Sequence, residues 1–273
     1  MTSLIQVIIY TTLISYAAGA VLYFAGAKPG QEKAIKAAFI LALTGCVLNL
    51  LALIMRTIIA GRLPLSSGYE FVLSFTFITV VLYLIYDLKS QAKSAGGSVM
   101  LIAATLILSV IIMIKGQFGD VSPLMPALKS PWLTIHVLTA AAAYASFALA
   151  AGLAVMQLAK TDQSGQEESI YKIVATGFVL LSLSIVLGAI WAEQALGAYW
   201  SWDPKEVWAL VTWIIYAVYL HLYRSRKLKG KNASIMVIAG FGLVLFTFFG
   251  VNYLLSGLHS YVGVLIDAAV KIS

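Results

Sequence analysis

The chain has 273 residues, of which 61% are hydrophobic and 11% charged. A water-soluble domain is about half apolar and about a quarter charged, so this composition excludes an ordinary soluble enzyme and a disordered scaffold. Lysine and arginine total 18 against 11 aspartates and glutamates, a net charge of +7. In so apolar a chain that excess reads as orientation information in the loops rather than a nucleic-acid footprint, and no nucleic-acid partner is expected.

A bilayer-spanning helix needs roughly 20 mostly apolar residues. Eight stretches qualify in chain order: Leu4–Ala25, Ala37–Ala60, Tyr69–Tyr86, Ser98–Ile114, Leu133–Leu158, Ile173–Ile190, Val207–Tyr223 and Ala233–Leu255. The polar stretches between them are too short for a separate soluble domain. Residues 1–273 therefore read as one all-α, polytopic membrane domain.

Orientation follows from the basic residues. The odd-numbered connections carry Lys28, Lys33, Lys36, Lys89, Lys93, Lys160, Lys172, Arg224, Arg226, Lys227, Lys229 and Lys231. The opposite side carries only Arg56, Arg62, Lys115, Lys129, Lys205 and Lys271. Positively charged loops stay in the cytoplasm, which places both termini outside. The uncharged start, Met1 to Gln6, agrees and lacks the basic region of a cleavable signal peptide.

The single cysteine, Cys46, excludes an internal disulfide, a paired redox motif and a thiolate-rich metal site, and it reads as an apolar packing residue of the second span. Metal chemistry must then rest on three histidines. His136 near the start of the fifth span and His259 after the eighth fall on the outer side. His221 lies near the inner end of the seventh. From Glu206 to His221 is fifteen residues, about 22 Å of helix at 1.5 Å per residue, so the sequence implies two sites on opposite faces. An ionisable group within a span is a functional candidate, because desolvating it without a partner is costly.

Between spans six and seven, residues 191–208 hold Trp191, Tyr199, Trp200, Trp202 and Trp208. An interfacial aromatic belt spreads its rings over many helix ends; here they concentrate in one outer loop. Trp200 and Trp202, two apart, would project to one face of extended backbone and form a flat platform. Asp203, Pro204 and Glu206 have the spacing of a capping box, so the seventh helix is expected to begin at Pro204. A planar aromatic platform beside two outer imidazoles points to haem, whose iron accepts axial histidine.

The run Gly197-Ala-Tyr-Trp-Ser-Trp-Asp-Pro-Lys-Glu-Val-Trp-Ala-Leu210 resembles the tryptophan-rich WWD signature of haem-handling proteins, most of all that of the CcsA (ResC) family of System II cytochrome c biogenesis. His136 after Trp132, and His259 in Leu258-His259-Ser-Tyr261, match the family's outer histidines; His221 in Tyr219-Leu-His221 matches the histidine within the membrane. Gly61-Arg-Leu-Pro64-Leu-Ser66-Ser-Gly-Tyr69-Glu70 resembles a further outer segment, with Ser67 where the family usually has Asn.

The resemblance implies a cytochrome c haem lyase component that takes haem b as its transported substrate. It implies iron ligation by His136 and His259 outside and by His221 inside, with Trp191, Tyr199, Trp200, Trp202, Asp203 and Trp208 lining the haem. It further implies a CcsB/ResB-type membrane partner, an apocytochrome c bearing Cys-x-x-Cys-His, and a thiol-reducing partner. The bacterial plasma membrane is expected ahead of the thylakoid, with the WWD loop outside. The alternative function is a haem transporter or chaperone without lyase activity. A b-type electron carrier fits less well, since the lone His221 cannot form an inner pair within the chain. Glu193 is a candidate proton donor that reads better as a solvated carboxylate. Arg56, Arg62, Lys115, Lys129 and Lys205 are all open as partners for the haem propionates.

Overall fold

In hydrocarbon, backbone amides and carbonyls must be paired within the segment, and a helix does so. The computed structural model describes residues 2–27, 30–90, 95–114, 121, 126–159 and 166–255. Within them the apolar runs are helices: α1 (Thr2–Ala25), α2 (Glu32–Ala60), α3 (Gly68–Ser90), α4 (Gly96–Ile114), α5 (Pro131–Ala159), α6 (Glu167–Leu196), α7 (Pro204–Arg224), α8 (Gly230–Leu245) and α9 (Val251–Leu254). A π-helical turn, Phe246–Gly250, joins the last two. Taking α8 to α9 as one span, eight helices among the described residues are long and apolar enough to cross a membrane.

The bundle is organised around α5, which contacts α3, α4, α6 and α8, while α1 packs on α2 and α4. Its buried stripe includes Ala141, Ala143, Ala145, Ala148, Ala151 and Ala154. Small side chains let neighbouring backbones approach closely, the main means of helix association in lipid. Thus Ser98 Oγ on α4 donates to the Gly152 carbonyl of α5 at 2.6 Å, and Phe147 of α5 stacks on Tyr216 of α7 with ring centroids 3.8 Å apart. Outward-facing positions such as Ile14, Ile58 and Val186 are exposed and apolar, as a lipid-facing surface requires.

The connections alternate between the two ends. One end gathers the starts of α3, α5 and α7, the ends of α2 and α6, and α9; the opposite end holds the α6 start, the α7 end and the α8 start. There Glu167 Oε1 accepts from Gly230 N at 3.0 Å and Gln157 Nε2 at 3.3 Å, tying α5, α6 and α8 together.

The tryptophan-rich segment is shorter as a loop than its sequence suggests. Hydropathy trims the sixth span at Ile190 because Glu193 and Gln194 are polar, yet Ala, Glu, Gln and Leu are all good helix formers. α6 therefore runs on to Leu196. It closes at Gly197, whose φ of 80° is natural only to glycine and whose N–H donates to the Glu193 carbonyl at 2.9 Å. The loop proper is residues 197–203; Trp191 belongs to α6 and Trp208 to α7.

Candidate functional site

His136 stands on the second turn of α5, half-buried against α6. Its Nδ1 is 2.7 Å from the Ser184 carbonyl oxygen and 3.2 Å from Ser184 Oγ. A carbonyl only accepts, so Nδ1 carries a ring hydrogen; in the neutral imidazole the lone pair is then on Nε2, the form that ligates a metal. Ser184 Oγ also lies 3.2 Å from the His136 carbonyl, to which it donates. Gly188, one turn further along α6, gives the ring its space: a Cβ there would stand 2.9 Å from His136 Cε1 and Nδ1. Main chain and a missing side chain together fix this imidazole.

At the same end, the 197–203 loop is folded back onto the start of α7. Asp203 Oδ1 accepts from Lys205 N at 3.0 Å, while Glu206 accepts from Asp203 N at 3.2 Å and from Ser201 N at 2.8 Å. This is a complete capping box with proline at the first helical position. Asp203 is buried in that role.

The tryptophans divide into two groups. Trp191 is buried, and its Nε1 donates to the Ala127 carbonyl at 2.9 Å, bracing the turn before α5. Trp208 packs edge-on against Phe246 at 4.5 Å, and its carbonyl accepts from Thr212 and Thr247. Both hold the scaffold. Tyr199 and Trp202 instead are 62% and 71% exposed, and Trp200 is half-buried with an indole N–H that meets no acceptor among the described residues.

The expected flat platform is not what these rings form. Trp202 has φ of 57°, a left-handed conformation uncommon outside glycine, so the two-residue periodicity of extended backbone does not apply. Trp200 and Trp202 meet edge to face, centroids 5.8 Å apart at 86°. They make the two walls of a corner rather than a sheet. A planar ligand would lie on one ring and be bounded by the other.

The cations are sorted by long-range partners. Glu70, fully buried at the start of α3, binds Arg56 Nε at 2.7 Å and Arg62 Nη1 at 2.9 Å. Ser66 N and Ser67 N also donate to it. Both arginines are thus committed to holding the α2–α3 connection, and Arg56 lies 5.3 Å from the Tyr69 ring. Lys129 is exposed, Lys115 lies outside the described residues, and Lys205 Nζ donates to Asn252 Oδ1 at 3.1 Å. Glu193 is exposed. Of the other histidines, His221 is exposed near the opposite end of α7, and His259 lies outside the described residues.

Ser184, Gly188, Glu206 and Asn252 are site residues that sequence reasoning did not single out for the site. The signal for Asn252 was an amide in an otherwise apolar run; Ser184 and Gly188 look like ordinary small residues of a packed helix.

The fold and site define a multi-pass helical membrane protein with an imidazole, a corner of aromatic rings and a half-buried lysine at one end. The family described as "Cytochrome C assembly protein" matches residues 65–259. The chain is 33% identical over 230 residues to the cytochrome c biogenesis protein CcsA of Chlamydomonas reinhardtii, covering 79% of this chain and 65% of that relative's length. It is 30% identical over 311 aligned positions to CcsA of Pyropia yezoensis, covering 93% of this chain and 98% of that one. Among solved structures, cytochrome c heme lyase CcmF superposes with a TM-score of 0.72 at 15% identity, over 99% of this chain and 49% of the lyase; that likeness is one of fold. The chain belongs to the CcsA family of cytochrome c biogenesis proteins, and its role is in cytochrome c maturation.

Proposed function

We propose that the protein binds haem b as a transported substrate and presents it to apocytochrome c for covalent attachment, as the System II cytochrome c haem lyase subunit acting with a CcsB/ResB-type partner. The observation that carries this reading is His136. Its Nδ1 donates to the Ser184 carbonyl, which in the neutral ring leaves Nε2 as the ligating nitrogen, and it stands at the bundle end that holds the Trp200–Trp202 corner.

In this reading His136 and His259 ligate the iron at the outer site while Tyr199, Trp200 and Trp202 hold the ring. The histidine of the apocytochrome's Cys-x-x-Cys-His displaces one of them. Each substrate thiol then adds across one vinyl group: sulfur bonds to the carbon next to the ring, the thiol hydrogen ends on the terminal carbon, and no electrons are exchanged overall. A thiol-reducing partner keeps those cysteines reduced. This chain contributes position, which in a near-attack geometry is worth several kcal/mol, rather than a dedicated acid. His221, about 25 Å along α7 from Pro204 by helical rise, is exposed and meets its second iron ligand from the partner. The membrane is the bacterial plasma membrane, with the 197–203 loop outside.

The test is co-expression with an apocytochrome c and the partner. Haem that survives denaturation on the apocytochrome is expected, and its loss with His136→Ala. Haem bound to the complex but never transferred would instead establish a carrier without lyase activity.

A further inference from the structure

The first turn of α7 holds a positive charge that the bundle does not neutralise. Lys205 Nζ carries three N–H donors and makes one hydrogen bond, to Asn252 Oδ1 at 3.1 Å; no carboxylate lies within ion-pair distance of it among the described residues. The acids beside it in sequence, Asp203 and Glu206, are both spent on the capping box of the α7 N-terminus. The Phe248 ring, 5.8 Å from Nζ, offers only its face. A charge inside a membrane domain without a counter-ion is costly and marks a functional site.

Asn252 supplies the second, independent observation. It is completely buried at the start of α9, just past the π-helical turn. Because an ammonium can only donate, the amide oxygen must face Lys205, which fixes the otherwise ambiguous amide orientation. Its Nδ2 consequently points elsewhere, and it meets no acceptor among the described residues. A buried N–H without an acceptor is rare. Lysine and asparagine, joined by their own hydrogen bond, thus leave unspent donors and one net positive charge on neighbouring side chains, and the chemical complement of that pair is an anion with two oxygens.

We propose that Lys205 and Asn252 form a carboxylate-binding pair and, resting on the haem reading above, that the carboxylate is a haem propionate. Of the five cations left open by the sequence, Arg56 and Arg62 are consumed by Glu70, Lys129 is exposed and Lys115 lies outside the described residues, which leaves Lys205 as the described one with a buried polar partner. Lys205 is three residues from Trp202, which immediately precedes the N-cap of the turn that carries it. A propionate held there anchors one edge of the macrocycle and sets which edge, with its vinyl groups, is left for the substrate thiols.

The experiment titrates the purified full chain, in complex with its partner, with haem b and separately with haem b dimethyl ester, whose propionates cannot ionise. The wild type is expected to favour the free acid by roughly ten- to a hundred-fold, the usual worth of a hydrogen bond to a charged group. Lys205→Met and Asn252→Leu should bind both forms equally, near the ester's affinity, with an unchanged ligation spectrum; Lys205→Arg should keep the preference. Undiminished preference in Lys205→Met, with histidine-dependent binding intact, would overturn the pair alone. Absence of histidine-dependent haem binding in the wild type would overturn the haem reading and the assignment with it.

Discussion

His136 Nδ1 lies 2.7 Å from the backbone carbonyl of Ser184, a residue 48 positions later in the chain. Because the acceptor is main chain, the imidazole is oriented by where α6 runs and not by which side chain occupies position 184. Metal-bound histidines usually donate their second ring nitrogen in this way, and the partner tunes both orientation and basicity.

Gly188 should therefore matter more than Ser184. Gly188→Ala places a methyl carbon 2.9 Å from the His136 ring and is expected to lower haem affinity by about ten-fold or more, with little change in helical content. Ser184→Ala keeps the carbonyl and loses only the 3.2 Å hydroxyl contacts, so its effect should be much smaller. Haem titration of the two variants checks the order; a larger loss for Ser184→Ala would count against main-chain orientation.

The Glu70 cluster makes a stability prediction. Glu70→Ala leaves two guanidinium groups facing each other, one of them, on Arg56, almost fully buried. Removing one partner of a buried ion pair typically costs about 3–5 kcal/mol. Arg62→Ala should cost less, since that side chain is 19% exposed. Thermal unfolding of the detergent-solubilised protein should rank them in that order.

Glu206 gathers the loop by accepting from Ser201 and Asp203. Glu206→Ala should speed amide hydrogen exchange at both residues and loosen the Trp200–Trp202 corner, while leaving α7 below its first turn protected. Asp203→Ala removes an N-cap worth about 1 kcal/mol. Exchange rates unchanged by Glu206→Ala would mean that something else holds the loop.

Much of this architecture is legible in the sequence, because lipid forces long apolar runs into helices and the Asp203-Pro204-x-Glu206 spacing is a local signal. What was not legible depends on the third dimension. The end of α6 is hidden because hydropathy penalises Glu193 and Gln194 while helix propensity does not. The Trp200–Trp202 corner is hidden because one left-handed residue at Trp202 overturns the period-two pattern. The commitment of Arg56 and Arg62 to Glu70, and of Lys205 to Asn252 47 residues away, arises only when helices pack. The π-helical turn that separates α8 from α9 has no sequence signature either.

The distribution of basic residues predicts sidedness. With Cys46 replaced by serine, a cysteine at Tyr199 should react with a membrane-impermeant maleimide on intact cells, whereas one at Ser225 should react only after the membrane is opened. The reverse pattern would put the aromatic corner in the cytoplasm and sink the proposed presentation to an outer substrate.

The central claim is that His136 ligates haem iron beside the Trp200–Trp202 corner, and absorption spectroscopy of the purified complex tests it most directly. His136→Gly should lose the bis-histidine spectrum of the outer haem and recover it on addition of imidazole, which fits the space the side chain leaves. A spectrum and haem content identical to wild type in His136→Gly, without imidazole, would contradict the account.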